Sequence, residues 1–346
     1  MADHGQHAYI GSFTSQGGQG VTVATVDPAT GALRAVRELR PLPDPSYLAL
    51  TPDGAALCAV GETADGAVRV LSLADPAAPE PTGPPVPVAG AAPTHLAVTG
   101  RRIYTANYTS GSVSGVGLAG GTVARGPATV VPHHGSGPVT ERQEGPHAHG
   151  VTLSPDGAWL LCADLGTDSV WIHAVDPADG THRPHGELRL RPGTGPRHLV
   201  FHPAGHTVYV VNELDPTVTA CHWDGESGTL TVAGETPLPT VADGDNYPSG
   251  LAVTPDGTRL YVAVRGADHI AVLDLGPDGA AAVLGAVDCG GHWPRGIALD
   301  ADGTRLYVAN ERSGDVSWFA LDQPGGLPRR LGSLTLPAPT CVVIGR

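Results

Sequence analysis

Seven times along 346 residues, a proline and a polar residue introduce an apolar strand, a tight turn such as PDG, and a second apolar strand. The last residues of that second strand are often polar or charged. The prolines are Pro45, Pro93, Pro146, Pro196, Pro248, Pro294 and Pro339, with spacings of 48, 53, 50, 52, 46 and 45. A strand–turn–strand unit with a period near fifty reads as one blade of a β-propeller, whose faces are covered by its neighbours in a closed ring. The predicted fold is therefore all-β, a seven-bladed propeller of four-stranded antiparallel blades, with residues 1–346 forming a single domain. The first strands (HAYIGSF, VTVATVD, LRAVREL) lack a Pro-led partner, and PTCVVI at 339–344 matches PTHLAV at 93–98. The C-terminal strand is expected to complete the first blade, leaving no free sheet edge at the seam.

Turn positions predict which groups meet. Counting outward from the hairpin glycines, Arg197 faces Glu213 about Gly205, and His149 faces Leu165 about Gly157. Likewise Ser249 faces Arg265 about Gly257, and Arg295 faces Glu311 about Gly303. Residues equidistant from a turn oppose each other in an antiparallel ladder. The starts of first strands and the ends of second strands then share one rim. That rim collects His149, Arg197, Glu213, Arg265, Arg295, Glu311 and Glu62 around the central channel, and it is the candidate site.

Net charge is −14 and all twenty basic residues are Arg. An acidic chain lacks the basic footprint of a nucleic-acid or anionic-membrane binder, so neither partner is expected. Without lysine, Schiff-base chemistry is excluded. The five cysteines (58, 162, 221, 289, 341) are scattered and lack CxxC spacing, which suits small buried strand residues in a reducing compartment. The N-terminus shows no signal-peptide pattern, and no apolar run approaches eighteen residues. A cytoplasmic protein is expected, a monomer or weak homo-oligomer.

Each charged pair has a plain structural reading. Arg197–Glu213 and Arg295–Glu311 are cross-strand salt bridges by the count above, and equally a base beside an anion anchor. Arg265 opposite small Ser249 has room to reach inward, or pairs with a neighbouring blade's acid. His147 and His149, two apart on an extended segment, point the same way. Metal binding there needs a third ligand such as His95, with no acidic or cysteine cluster to help, so neither metal nor cofactor is expected. The stretch 124–146 (ARGPATVVPHHGSGPVTERQEGP) reads as a long loop, a length more often functional than not. His133 and His134 within it read as solvated or loop-packing. No serine elbow, phosphate loop or dinucleotide fingerprint is present.

ERQEGPHAHG (141–150), GPRHLVFHPAGHTVYVVNEL (195–214), PSGLAVTPDGTRLYVAVRG (248–266) and PRGIALDADGTRLYVANE (294–311) are similar to the lactonase-type seven-bladed propellers. That family includes bacterial propeller-type 6-phosphogluconolactonases and fungal carboxy-muconate lactonising enzymes. The resemblance implies His149, Arg197, Glu213 and Arg265 as catalytic residues, with His147, Arg295 and Glu311 binding a small anionic lactone. Where the family has Asn before the last of these arginines, this chain has Val264. The implied reaction is hydrolysis of a sugar lactone, 6-phospho-glucono-1,5-lactone foremost. A muconate-type lactonising isomerase and a non-catalytic binding propeller are the alternatives.

Overall fold

The computed structural model describes residues 5–120, 122–123, 128–321 and 326–345. Seven antiparallel sheets make the ring, and in six of them the chain runs from the channel outward. In the fourth blade, Ala148–Leu153 lies innermost, followed by Trp159–Asp164, Ser169–Val175 and His182–Arg189. The first blade closes as expected: Pro339–Ile344 is its inner strand, paired antiparallel with His7–Ser12. Apart from one 3-10 turn at Thr14–Gln16, the described residues hold no helix, and so none long enough to cross a membrane.

Position in the blade dictates composition. Second strands such as Ala56–Gly61 and Thr207–Asn212 are buried along their whole length, because a neighbouring blade covers each face. Their middles read as apolar runs, LCAV in the one and VYVV in the other. All five cysteines are buried and unpaired. Outer strands such as Ala281–Asp288 face solvent and alternate. The Pro-rich stretch after the second blade forms two short outer-strand pieces, Glu80–Pro81 and Val86–Pro87, both on Ala67–Ser72. Tyrosines of the second strands staple blade to blade: Tyr104 donates to Gly180 O (2.7 Å), Tyr209 to Gly279 O (3.0 Å) and Tyr307 to Gly31 O (3.1 Å).

Two expectations change. The stretch 124–146 is not a single loop: Thr129–Pro132 is the outer strand of the third blade, paired with Ser112–Ala119, and residues 124–127 lie outside those described. Pro146 is out of phase with the other six prolines. The paired position that Pro196 holds opposite Asn212 belongs in the fourth blade to Ala148, opposite Asp164.

The seam strand contributes Cys341 and Val342 to the clusters on either side of it. Removing residues 339–346 strips one blade of its inner strand and leaves two apolar faces uncovered. The truncated chain is expected to lose cooperative unfolding, and a thermal melt matching the intact protein would refute the closure.

Candidate functional site

Inner strands pair with second strands in register until their first residues, where each carries one residue too many. Phe201 faces Val208, and His198 faces Val211, but Pro196 faces Asn212, so Arg197 is bulged out of the ladder. Bulges in the same place put Thr340, Thr94, His149 and Arg295 on the rim, with Ser249 beside Gly250 in the sixth blade. Ser46 holds the position in the second blade, where the Glu62 amide donates to Asp44 O. A bulge re-aims a side chain out of the alternating faces of a strand, here toward the channel mouth. The residues leaving the second strands form a companion ring: Phe13, Glu62, Tyr108, Leu165, Glu213, Arg265 and Glu311.

The bulges correct the count from the glycines. Arg197 has no ladder partner, and Arg265 pairs with Tyr247 rather than Ser249. His149 and Arg295 likewise drop out of their predicted pairs with Leu165 and Glu311. Side chains still converge. Glu213 is a hub for three guanidinium groups: Arg197 Nε at 2.9 Å, Arg265 Nη2 at 2.7 Å and Arg142 Nη2 at 2.7 Å. Despite its burial, these charges hold the Glu213 carboxyl well below the ordinary range. Arg295 bridges Glu311 (3.4 Å) and Glu62 (3.7 Å). Burial raises the Glu62 carboxyl, an effect that Arg295 opposes. Burial, with the neighbouring Arg265 charge, brings Arg197 down to about 9.

Small hydroxyl residues use the same bulge differently. Ser249 Oγ donates to Pro294 O (2.6 Å) and Thr94 Oγ1 to His149 O (3.0 Å), stitching one blade to the next. Only the long side chains at this position reach the mouth. His149, His198, His95 and Tyr47 pack ring against ring, with successive centroids 5.3, 4.7 and 3.9 Å apart. Burial and the Arg197 charge push His149 and His198 well below the usual imidazole value and bring His95 to about 3. Nδ1 of His149 is buried without a hydrogen bond. A cavity lined by Ser46, Tyr47, Thr94, Arg197, Arg295 and Thr340 measures about 80 Å³. That is room for a few waters and not for a sugar.

His147 stacks on Tyr108 (4.5 Å) and meets Glu144 (3.3 Å), while His149 approaches the same tyrosine edge-on (5.4 Å). His95 faces Tyr47 and His198 instead of joining them as a third ligand. Among the described residues, no group of three or more His, Cys, Asp or Glu side chains is placed to hold a metal.

The description "Lactonase, 7-bladed beta-propeller" belongs to a family model that matches residues 7–344. The chain is a member of that family. It is 30% identical to the 6-phosphogluconolactonase of Bacillus subtilis over 341 residues, 96% of this chain and 97% of that one. A Bacteroides fragilis structure superposes with a TM-score of 0.92 at 27% identity, covering 99% of both chains. The periplasmic gluconolactonase of Pseudomonas aeruginosa gives 0.90 at 26%, again over 99% of each.

This lactonase-family chain departs from the Asn pattern at Val264, and His269, which faces it across the ladder, keeps a buried Nε2 without a hydrogen bond. Asn212 Nδ2 donates to Thr217 and Thr219 (2.9 Å each), and Asn107 to Ser112 and Ser114 (3.1 and 2.8 Å). In the sixth blade Ala271 stands where Thr219 does, and Val264 packs with it in one apolar cluster.

Sequence reasoning missed Arg142, Tyr108 and His198. The loop after Pro132 delivers Arg142, and buried contacts fix that loop. Gln143 Nε2 donates to Leu165 O (2.8 Å) and Asp168 (2.7 Å), and His133 Nδ1 pairs with Asp164 (2.6 Å). His133 is thus buried against Asp164, the loop-packing reading and not the solvated one; His134 is exposed. A basic residue inside the one long insertion was the available signal for Arg142.

Glu213→Gln leaves its guanidinium partners unneutralised, and breaking a buried ion pair costs about 3–5 kcal/mol. A correspondingly lowered denaturation midpoint is expected, and an unchanged one contradicts the hub. The depressed imidazoles add a pH dependence. His149, His198 and His95 take up protons on unfolding below about pH 6.5, the unfolded value. Their contribution is complete above that pH and is lost as the pH falls, by about 1.4 kcal/mol per proton per pH unit. Denaturation midpoints measured from pH 8 to pH 5 are expected to be level down to about 6.5 and to fall below it.

Proposed function

We propose that the chain is a lactonase that opens a sugar lactone with water, in particular 6-phospho-glucono-1,5-lactone to 6-phosphogluconate. One observation carries this reading: the imidazole of His149, held toward its uncharged form and with an unpartnered ring nitrogen, lies among convergent guanidinium groups. The names of the Bacillus and Pseudomonas relatives support the same class of reaction.

Water held by His149 Nδ1 attacks the carbonyl carbon and gives up its proton to the ring. Arg197 meets the oxyanion that develops on the carbonyl oxygen. As the bond from carbon to ring oxygen breaks, His149 returns the proton to that oxygen, and the acid is released. Glu213 fits this scheme as the anchor that orients Arg197, Arg265 and Arg142. Its lone pairs face three cations, which makes it a poor base. Arg265, Arg295, Glu311 and His147 line the mouth around the substrate.

His149→Ala is expected to lower kcat by about 10²–10⁴-fold. Near-full turnover by the folded variant would sink the assignment. Because His149 stays unprotonated through neutral pH, kcat/KM corrected for spontaneous opening is expected to be level from pH 8 down to 6.5. An acid limb centred near 6.5, the ordinary imidazole value, points to a different base.

A further inference from the structure

The rim holds one guanidinium group that none of the preceding chemistry uses. Arg312 follows Glu311 at the exit of the seventh blade's second strand, and its side chain is exposed. Its guanidinium carbon lies 3.3 Å from the centroid of the Trp293 ring, flat-stacking distance for a planar cation. Among the described residues it makes no ion pair. Arg142, Arg197, Arg265 and Arg295 each spend donors on Glu213, Glu311 or Glu62. Arg265 also lies 5.7 Å from the same indole, so one ring sits between the buried arginine cluster and the exposed one.

Trp293 is held in place at a backbone cost. It precedes Pro294 with φ +66°, where the equivalent residues Asp44, Ala92, Gly195 and Ala338 are all much smaller. Bulky side chains seldom occupy that region, and such residues cluster at functional sites. Asp268 accepts the Trp293 amide (2.8 Å) and turns its other oxygen to His292. The indole is therefore a fixed platform, and Arg312 on it is ordered before any ligand arrives.

We propose that Arg312, stacked on Trp293, is the residue by which this site selects a phosphorylated lactone over an unphosphorylated one. The inference rests on the lactonase reading and adds its specificity. Five unspent N–H donors in a planar fork match a phosphate, which they bind bidentately. The placement suits the substrate. The phosphate hangs from an exocyclic carbon away from the carbonyl, and a dianion is costly to desolvate, so its anchor belongs at the open edge of the mouth. His149, Arg197 and Arg265 occupy the fourth, fifth and sixth blades, and Arg312 continues that arc into the seventh.

The test compares kcat/KM for 6-phospho-glucono-1,5-lactone and for glucono-1,5-lactone in the wild type, Arg312→Ala and Arg312→Lys. Removing the charge-assisted bonds is expected to lower the ratio of the two values by about ten- to a hundredfold in the alanine variant. Lysine, keeping the charge without the fork, is expected to fall between. The wild-type preference is expected to shrink with added salt, as for any exposed ion contact. A ratio unchanged by Arg312→Ala overturns the proposal while leaving lactone hydrolysis standing. Calorimetry with 6-phosphogluconate and gluconate separates the two ideas. If the wild type opens neither lactone, the lactonase reading fails, yet tighter 6-phosphogluconate binding that Arg312→Ala abolishes still supports the anion site. Equal binding of the two acids by the wild type overturns it.

Discussion

Side chains on a propeller strand alternate between two blade faces, and both faces are packed against neighbours. An inner strand with perfect alternation would therefore send no side chain toward the channel axis. The extra residue at the head of the inner strands breaks that constraint, which is why His149, Arg197 and Arg295 reach the mouth. The same backbone device, given a short hydroxyl at Thr94 or Ser249, ties adjacent blades together instead. One local irregularity thus serves stability in some blades and chemistry in others, according to side-chain length.

The charges gathered there are expensive. Taking a guanidinium or a carboxylate from water costs several kcal/mol per ion after relaxation, so buried ion clusters add little net stability. Here Arg197 and Glu213 are almost fully buried, and each satisfies part of the other's demand. The apolar second strands, buried on both faces, offset that cost. The result is a rigid frame in which Glu213 fixes the directions of its guanidinium partners. His149 is held toward its uncharged form beside them, because burial disfavours the charged ring and the Arg197 charge repels it.

Much of this was legible in the residues. The repeat of Pro, strand and turn specified seven blades, and the match of PTCVVI with PTHLAV specified the seam. The hairpin count placed His149, Arg197 and Arg295 at the heads of inner strands and Glu213, Arg265 and Glu311 at the ends of second strands, where they stand, although the pairings behind the count were wrong. Phe201 faces Val208, one residue out of step with a count from Gly205, and the bulge adds a second slip. The error was harmless because a slip along the strand leaves a residue at the same end of the hairpin. Arg142 was out of reach for a different reason: its place depends on Gln143 and His133 finding partners in the fourth blade.

The sequence by itself determined the architecture, because strand periodicity and turn chemistry are local properties that repeat in every blade. It also determined which end of each hairpin carries the polar groups. Only the tertiary structure decided which of those groups touch. Three arginines from three separate segments share Glu213, and Arg312 lies on Trp293 without an ion pair among the described residues. Those contacts arise from ring closure and from bulges a single residue wide, and a distance of 3 Å between blades leaves no trace in the spacing along the chain.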